Sequence, residues 1–262
     1  MESIIISNDN TIIKLYRRLA SSKKERYALN KYVLEGARLI DDAIKEGANL
    51  SHLLVTEFAV DKNKDVLSQV DLKKVRLIII SNELGIKISA TEKTQGIFAI
   101  CDMPSKLLLA ETLNKGGKYV ILHKLQDPGN VGMIIRSADA IGIDGVILSE
   151  SCDLFSPKVI RSTMGSVFRM PIWWDMDIDK VLSAMNEQEI ETLAAVVDGD
   201  AYSIKDYKFN ENCAVLIGNE GNGLDLDIIQ KCDKSITIKM NGNINSLNAA
   251  MAAGIIMWEL MN

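Results

Sequence analysis

The stretch YVILHKLQDPGNVGMIIRSADAIGIDGVIL, residues 119–148, decides how this chain is read. Tyr119–Leu122 and Gly145–Leu148 are short runs apolar on both faces. Between them Val131, Ile134, Ile135, Ala138 and Ile141 recur at helical spacing and form one apolar stripe. Strand, helix and strand in that order suit a buried parallel sheet. Leu193–Val197, Cys213–Ile217 and Ile236–Lys239 repeat the strand signature downstream. Ligands of open parallel sheets sit beyond the C-terminal strand ends, so function is expected in the loops that follow these runs.

Upstream the pattern is a smaller α/β module. Tyr32-Val33-Leu34, Leu53-Leu54-Val55, Leu77–Ile80 and Gly96–Ile100 read as strands, and Ala37–Lys45 as a helix with Leu39, Ile40 and Ile44 on one face. Pro104 blocks continuation of the last of these strands. The expected division is residues 1–104, a basic helical lead-in and small α/β domain, and residues 105–262, the parallel-sheet domain.

Composition narrows the classes. The 262 residues carry 30 Lys+Arg against 35 Asp+Glu, a net charge of -5, with 47% hydrophobic and 25% charged residues. That is the composition of globular domains, and the whole-chain charge disfavours a strongly basic nucleic-acid binder. By position the picture divides. Residues 1–105 hold 16 basic and 14 acidic side chains, net +2, and residues 106–262 hold 14 and 21, net -7. Lys14–Lys31 alone carries seven basic residues and one acid, Glu25. Such a run is either a solvated helix face or a phosphate-contacting arm. Four scattered cysteines and two histidines, His52 and His123, suit reduced thiols and no metal centre. No leader and no apolar stretch of roughly 18 residues is visible, so a cytoplasmic protein is expected.

Three loops concentrate polar chemistry. In Gln126–Asn130, Asn130 is placed to cap a helix from Val131 to Ile141, and Arg136 lies about 100° off its apolar stripe. Either residue read alone is a cap or a surface arginine. Gly218-Asn-Glu220-Gly-Asn-Gly223 sets a carboxylate among three glycines, which permit close backbone approach. It matches neither the dinucleotide nor the nucleoside-triphosphate loop pattern, and Glu220 alone could serve the next helix N-terminus. Met240–Asn248 is a dense polar run, with Ser246 an expected N-cap for a last helix rich in small residues, Ala249–Gly254.

Taken in order, Asn130-x5-Arg136, Ile217-Gly-Asn-Glu220-Gly-Asn-Gly-Leu224 and Met240-Asn-Gly-Asn-Ile-Asn-Ser246-Leu-Asn248 resemble the three motifs of the SpoU (TrmH-type) RNA ribose 2′-O-methyltransferases. Ser156–Pro171 resembles the family's connecting segment. Tyr32–Ile40 and Thr94-Gln95-Gly96-Ile97 resemble the L30e-like substrate-binding domain attached to many members. Lys239 stands where the family commonly has proline. The resemblance implies a parallel α/β domain with a deep trefoil knot, a metal-free reaction with S-adenosylmethionine, and a homodimer. It implies cofactor contacts at Val197, Asp198, Gly199, Ile217, Gly218, Ile238, Met240, Ser246 and Leu247. Catalytic and positioning roles fall on Asn130, Arg136, Glu220, Ser246 and Asn248, and RNA contacts on Arg17, Arg18, Lys23, Lys24, Arg26 and Arg161. Ribosomal RNA of the large subunit is the expected substrate. A tRNA methyltransferase, or a non-catalytic RNA-binding or ribosome-assembly protein of the same fold, are the alternatives.

Overall fold

Asn10 and Ser22 start the first two helices of the computed structural model, which describes residues 4–114, 116–197, 200–240 and 246–262. Asn10 Oδ1 accepts from Ile12 N at 2.9 Å and opens Thr11–Ser21; Ser22 Oγ accepts from Glu25 N at 3.3 Å and opens Lys23–Leu29. Ile13, Tyr16 and Leu19 fall on one face of the first helix and are buried with Val33, Leu54, Ile80 and Phe98. The other face holds Arg17 and Arg18 in solvent, and Lys23 and Lys24 on the next helix are exposed too. The lead-in is thus part of a core on one side and cationic on the other.

Chain contacts group into two units, Met1–Ser105 with Asp153–Phe168, and Lys106–Cys152 with Arg169–Asn262. The first contains a four-stranded sheet of β1 (Lys31–Glu35), β2 (Leu50–Thr56), β3 (Arg76–Ile80) and β4 (Ile97–Asp102), in the order β1-β4-β2-β3. β4 runs antiparallel to both neighbours, and β2 and β3 are parallel. Two of the resembling segments meet here. Gln95 Oε1 accepts from Ala37 N at 2.7 Å, capping the helix Ala37–Lys45 from outside. Gly96 stands at φ +71°, and a Cβ there would lie 2.3 Å from Thr56 Oγ1, so only glycine fits.

One expectation is corrected in this unit. Arg26 is 4% exposed, its Nε and Nη2 donate to Asp153 Oδ2 at 2.8 and 2.5 Å, and Nη1 donates to Leu19 O at 2.5 Å. Tyr27 OH donates to the other carboxylate oxygen at 3.3 Å. A guanidinium with its donors committed in this way fastens the helix Lys23–Leu29 to the segment Asp153–Phe168 and has nothing left for RNA phosphate.

The second unit is built on seven strands: β5 (Lys118–His123), β6 (Gly145–Ser149), β7 (Ile172–Met176), β8 (Glu191–Ala195), β9 (Tyr202–Ser203), β10 (Cys213–Ile217) and β11 (Lys234–Thr237). Their order is β7-β6-β5-β10-β8-β11-β9, and every pairing is parallel. β7 and β9 have no counterpart in the sequence reading. Only two residues make β9, and β7 carries a register shift and a left-handed Asp175 at φ 53°. Two others begin and end two residues earlier than their apolar runs suggest, because Val196, Val197 and Ile238 lie beyond the ladder and serve as walls of a cavity. Ile217 is level with Leu122, and Ile236 with Ala195, so the loops after β5, β8, β10 and β11 leave the sheet on one edge. Among the described residues no helix is long and apolar enough to cross a membrane.

Candidate active site

Asp127, not Asn130, caps the helix that follows β5. Asp127 Oδ1 accepts from Asn130 N at 2.9 Å, and Pro128 occupies the first helical position, where its missing N–H costs nothing. The helix spans Pro128–Ile141 and closes at Gly142, φ 91°. Asn130 therefore sits inside the first turn with its side chain free for other work. It donates through Nδ2 to Glu220 Oε1 at 3.2 Å and accepts at Oδ1 from Asn248 Nδ2 at 3.0 Å.

Glu220 is the collecting point of this network. Its carboxylate accepts from Gln126 N at 3.1 Å, Asp127 N at 2.9 Å and Asn130 Nδ2. Burial alone would raise its pKa, but the donated backbone hydrogen bonds of Asp127 and Gln126, with the Asn130 amide, outweigh it and hold the carboxyl below the ordinary glutamate range. Glu220 is thus an ionised acceptor that shapes the loop before the helix, not a proton reservoir near neutral pH.

The last helix, Ala249–Met261, is capped by Asn248, whose Oδ1 accepts from Ala250 N at 2.9 Å and Met251 N at 3.2 Å. This corrects the expectation for Ser246, which stands exposed two residues earlier on the cavity wall. Asn248 does two jobs with one amide: the oxygen caps and the nitrogen reaches Asn130. Sequence reasoning credited both caps to the wrong neighbour for the same reason. Asp, Asn and Ser all cap well, and spacing alone does not choose among adjacent candidates.

The loop after β10 is a closed turn. Asn219 and Gly223 exchange backbone hydrogen bonds at 3.0 and 2.9 Å, Asn219 Oδ1 accepts from Gly221 N and Asn222 N, and Asn219 Nδ2 donates to Lys124 O at 2.9 Å. Asn219, a wall residue whose part in holding this turn the sequence reading passed over, carried the Asn-x-Gly signal of an Asx turn. Lys124 in turn pairs with Asp225 at 2.6 Å, closing the loop from its far side. Gly218 is held to glycine by contact, since a Cβ there would lie 2.4 Å from the Gly223 carbonyl carbon and 2.5 Å from Leu224 N.

The segments after β8, β10 and β11 border a cavity of about 550 Å³, within the roughly 300–1,000 Å³ of small-molecule sites, and Asn130 and Asn248 stand just outside its wall. Of the expected cofactor contacts, Val197, Ile217, Gly218, Ile238, Met240, Ser246 and Leu247 all line it, and Glu220 lines it too. Asp198 and Gly199 lie outside the described residues, as do Asn241–Asn245 of the third motif. Among the described residues the wall combines glycine backbone at Gly218, Gly221 and Gly223 with apolar faces at Ile217, Leu224 and Ile238, and the Glu220 carboxylate. That donor set suits a ligand with a flat apolar part, polar groups read by backbone, and positive charge. Arg136 stands apart. It is exposed, is not part of the cavity wall, and makes no hydrogen bond or ion pair among the described residues.

Comparison with known proteins agrees with this geometry. The SpoU rRNA Methylase family matches residues 117–258, and the MRM3-like substrate binding domain matches residues 10–99. A Bacillus subtilis 23S rRNA (guanosine(2553)-2′-O)-methyltransferase is 29% identical over 98% of both chains. An AdoMet-bound rRNA methyltransferase from Sinorhizobium meliloti superposes with a TM-score of 0.88 at 27% identity, covering 98% of this chain and 97% of that one. AviRb, a SpoU methyltransferase from Streptomyces viridochromogenes in complex with AdoMet, gives 0.87 at 26% identity over 96% and 97%. The trefoil knot implied by the sequence resemblance fits the fold of these neighbours and the all-parallel order of the second sheet.

Proposed function

The chain belongs to the SpoU rRNA methylase family and is an S-adenosylmethionine-dependent RNA methyltransferase; we propose that it methylates a ribose 2′-hydroxyl of large-subunit ribosomal RNA. The observation that carries this reading is the meeting of three sequence-distant motifs, Asn130, Glu220 and Asn248, beside the cavity after β10. The residues present fit the cofactor. Ile217, Gly218, Ile238, Met240 and Leu247 would hold it largely through backbone and apolar contact, and Glu220 on the same wall would supply negative charge to balance a sulfonium. When bound, it supplies an already activated methyl group, so the reaction calls for no metal.

What remains for the chain is positioning and a proton. Glu220, Asn130 and Asn248 fix the loop after β5 against the last helix, giving the 2′-hydroxyl a rigid approach; orientation of this kind accounts for a large share of a transfer barrier. Arg136, without a hydrogen-bond or ion-pair partner among the described residues and outside the cavity wall, grips RNA phosphate rather than cofactor in this reading. Guanidinium has no acceptor for the hydroxyl proton, so Arg136 acts by holding a phosphate whose oxygen takes or relays it. Met133 on the first site helix and Met251 and Trp258 on the last are exposed apolar side chains on two helices that pack together. We read that face as the homodimer surface.

Transfer of tritium from labelled cofactor into purified rRNA and into total tRNA, followed by mapping of the alkali-resistant ribose, tests the reading. Label in a large-subunit rRNA ribose is expected. Label only in tRNA would replace the substrate, and none in either would overturn the assignment to a ribose of free ribosomal RNA.

Two variants bear on the same proposal. Gly218→Ala forces a Cβ into the Gly223–Leu224 backbone, so the turn must open, at a cost of about 1–3 kcal/mol. Affinity for S-adenosylhomocysteine by calorimetry is expected to fall at least tenfold; unchanged affinity would remove this loop from the cofactor site. The exposed charges Arg17, Arg18, Lys23 and Lys24 remain as RNA contacts once Arg26 is withdrawn, with Arg18 also paired to Glu25. Replacing the four by glutamine should lower the steepness of RNA binding against salt by about 1 for each charge that touches phosphate. An identical salt slope would show that this face is merely solvated.

A further inference from the structure

A second cavity lies wholly within the first unit, and its volume is about 250 Å³. That is below the roughly 300–1,000 Å³ of drug-sized ligand sites and close to the room of a single planar heterocycle. Its wall has a pronounced order. Three side chains bring donors: Arg38, Arg161 and Gln95. Gln95 Oε1 is already committed to Ala37 N, which leaves its NH2 for the cavity. Arg161 lines the cavity, and its side chain makes no hydrogen bond or ion pair among the described residues; its Nη1 is buried behind the wall, which leaves the other guanidinium N–H groups for a ligand. Arg38 likewise makes no hydrogen bond or ion pair among the described residues.

Two carboxylates face the same space, and only one is available. Glu35 accepts from Thr91 Oγ1 and Ala90 N, each at 2.9 Å, and from Ser89 Oγ, so its oxygens are committed. Asp42 makes no side-chain hydrogen bond or ion pair among the described residues. Leu39 and Met164 supply apolar faces on which a flat ring can lie.

A ligand for this cavity needs a pair of acceptors for an arginine fork, a pair of donors for one carboxylate, and a planar apolar body. A bare phosphate satisfies the first need and is repelled by Asp42. Adenine puts an amino group where the fork needs an acceptor, and uracil has one ring N–H where the carboxylate wants two donors. Guanine has O6 and N7 for arginine and N1–H with N2–H2 on the Watson–Crick edge for a carboxylate.

We propose that this cavity is a guanine pocket, which takes one unstacked base of the RNA substrate between Leu39 and Met164, with Arg161 and Arg38 on O6 and N7 and Asp42 on N1–H and N2–H2. It rests on the reading of the chain as an RNA enzyme and adds a base-reading step to it. RNA recognition by extruded bases is a common solution, because the edges are then open on all sides. The pocket gives the first unit sequence selectivity that its basic helix face cannot supply, since phosphate contacts position RNA without reading it.

The test uses the full chain saturated with S-adenosylhomocysteine, so that nucleotides cannot enter the cofactor cavity. Binding of GMP, AMP, UMP, 7-deaza-GMP, IMP and ribose 5-phosphate is measured by ligand-observed NMR and calorimetry. GMP is expected to bind about tenfold or more tighter than AMP and UMP. Loss of N7 in 7-deaza-GMP and of the amino group in IMP should each weaken it several-fold. Arg161→Lys should cost about tenfold, and the near-isosteric Asp42→Asn should erase the preference for GMP over IMP, while S-adenosylhomocysteine affinity stays at wild type in both. Two variants on different elements guard against misfolding in one.

Absence of GMP binding, equal binding of all nucleotides, or binding of ribose 5-phosphate as tight as GMP would overturn the proposal; the last would mark a phosphate site. Failure of S-adenosylhomocysteine to bind, with GMP binding that Arg161→Lys and Asp42→Asn still weaken, would strike the assignment of the first cavity to the cofactor and leave the pocket standing; GMP binding indifferent to both variants would overturn the pocket.

Discussion

Arg136→Ala is expected to lower single-turnover methyl transfer by about 10²–10⁴-fold while cofactor affinity stays within twofold of wild type. The two halves of that expectation come from one observation. The guanidinium is exposed, outside the cavity wall and unpartnered among the described residues. Its loss should therefore neither unfold the helix Pro128–Ile141 nor disturb bound cofactor. Surface arginines that act only as solubilising charge cost less than about 0.5 kcal/mol when removed, which would leave the rate near wild type. Arg136→Lys separates the two ways an arginine can act. If a point charge on phosphate suffices, lysine recovers most of the rate; if the planar fork must hold two oxygens in one orientation, lysine stays close to alanine. A structural role would move the melting temperature together with the rate, and here the melting temperature is expected to hold. Near-wild-type turnover by Arg136→Ala, with cofactor bound, would remove Arg136 from the chemistry.

How much of this was legible beforehand depends on the kind of signal each feature leaves. The runs Tyr119–Leu122, Gly145–Leu148 and Cys213–Ile217 are buried on both faces in a parallel sheet, and their continuous apolar character announced it. Ile172–Met176 went unread because Asp175, which is left-handed as well as charged, interrupts the pattern, although Trp173 is buried. The set of motif residues was visible, but not their division of labour. Asp127 takes the capping role that spacing assigned to Asn130, and Asn248 takes the one assigned to Ser246. The first displacement frees Asn130 to reach across the site, and in the second Asn248 caps with its amide oxygen while its nitrogen reaches Asn130; no local rule contains that information. Arg26 shows the same limit for charge. Within a run of seven basic residues it is indistinguishable from its neighbours, and only the distant Asp153 makes it a buried tie. Arg161, by contrast, was expected among the RNA contacts, and only the folded chain sets it on the wall of a cavity beside Arg38 and Asp42.

Glu220→Ala should produce a large functional loss from a small loss of stability. Its carboxylate accepts two backbone N–H groups, from Gln126 and Asp127, and the Asn130 amide. Both backbone donors lie at the surface, so water can replace the carboxylate. The global cost should then fall toward the low end of the roughly 1–3 kcal/mol for unpaired groups, near 1 kcal/mol. The loop is another matter. Without its acceptor the segment Gln126–Asp127 loses the contact that sets the entry to the helix carrying Asn130 and Arg136. Methyl transfer is expected to fall by about 10²-fold, a typical consequence of misplacing reacting groups by an ångström, and amide exchange at Gln126 and Asp127 to accelerate by at least tenfold. Glu220→Gln should be nearly as damaging, because its amide nitrogen would face a backbone N–H, donor against donor.

The pH dependence distinguishes this role from general-base catalysis. The folded-state pKa of Glu220 is lowered, so its contribution to stability is fully present above the ordinary glutamate value of about 4.3 and is lost as pH falls through the lowered value. Between pH 6 and 9 the wild-type rate should therefore show no limb that disappears in Glu220→Ala. A base poised for catalysis would have its pKa raised toward neutrality and would give an acidic limb near pH 6–7. Observation of such a limb, abolished by Glu220→Gln with amide exchange at Gln126 and Asp127 unchanged, would make Glu220 the proton acceptor and reduce its hydrogen bonds to incidental contacts.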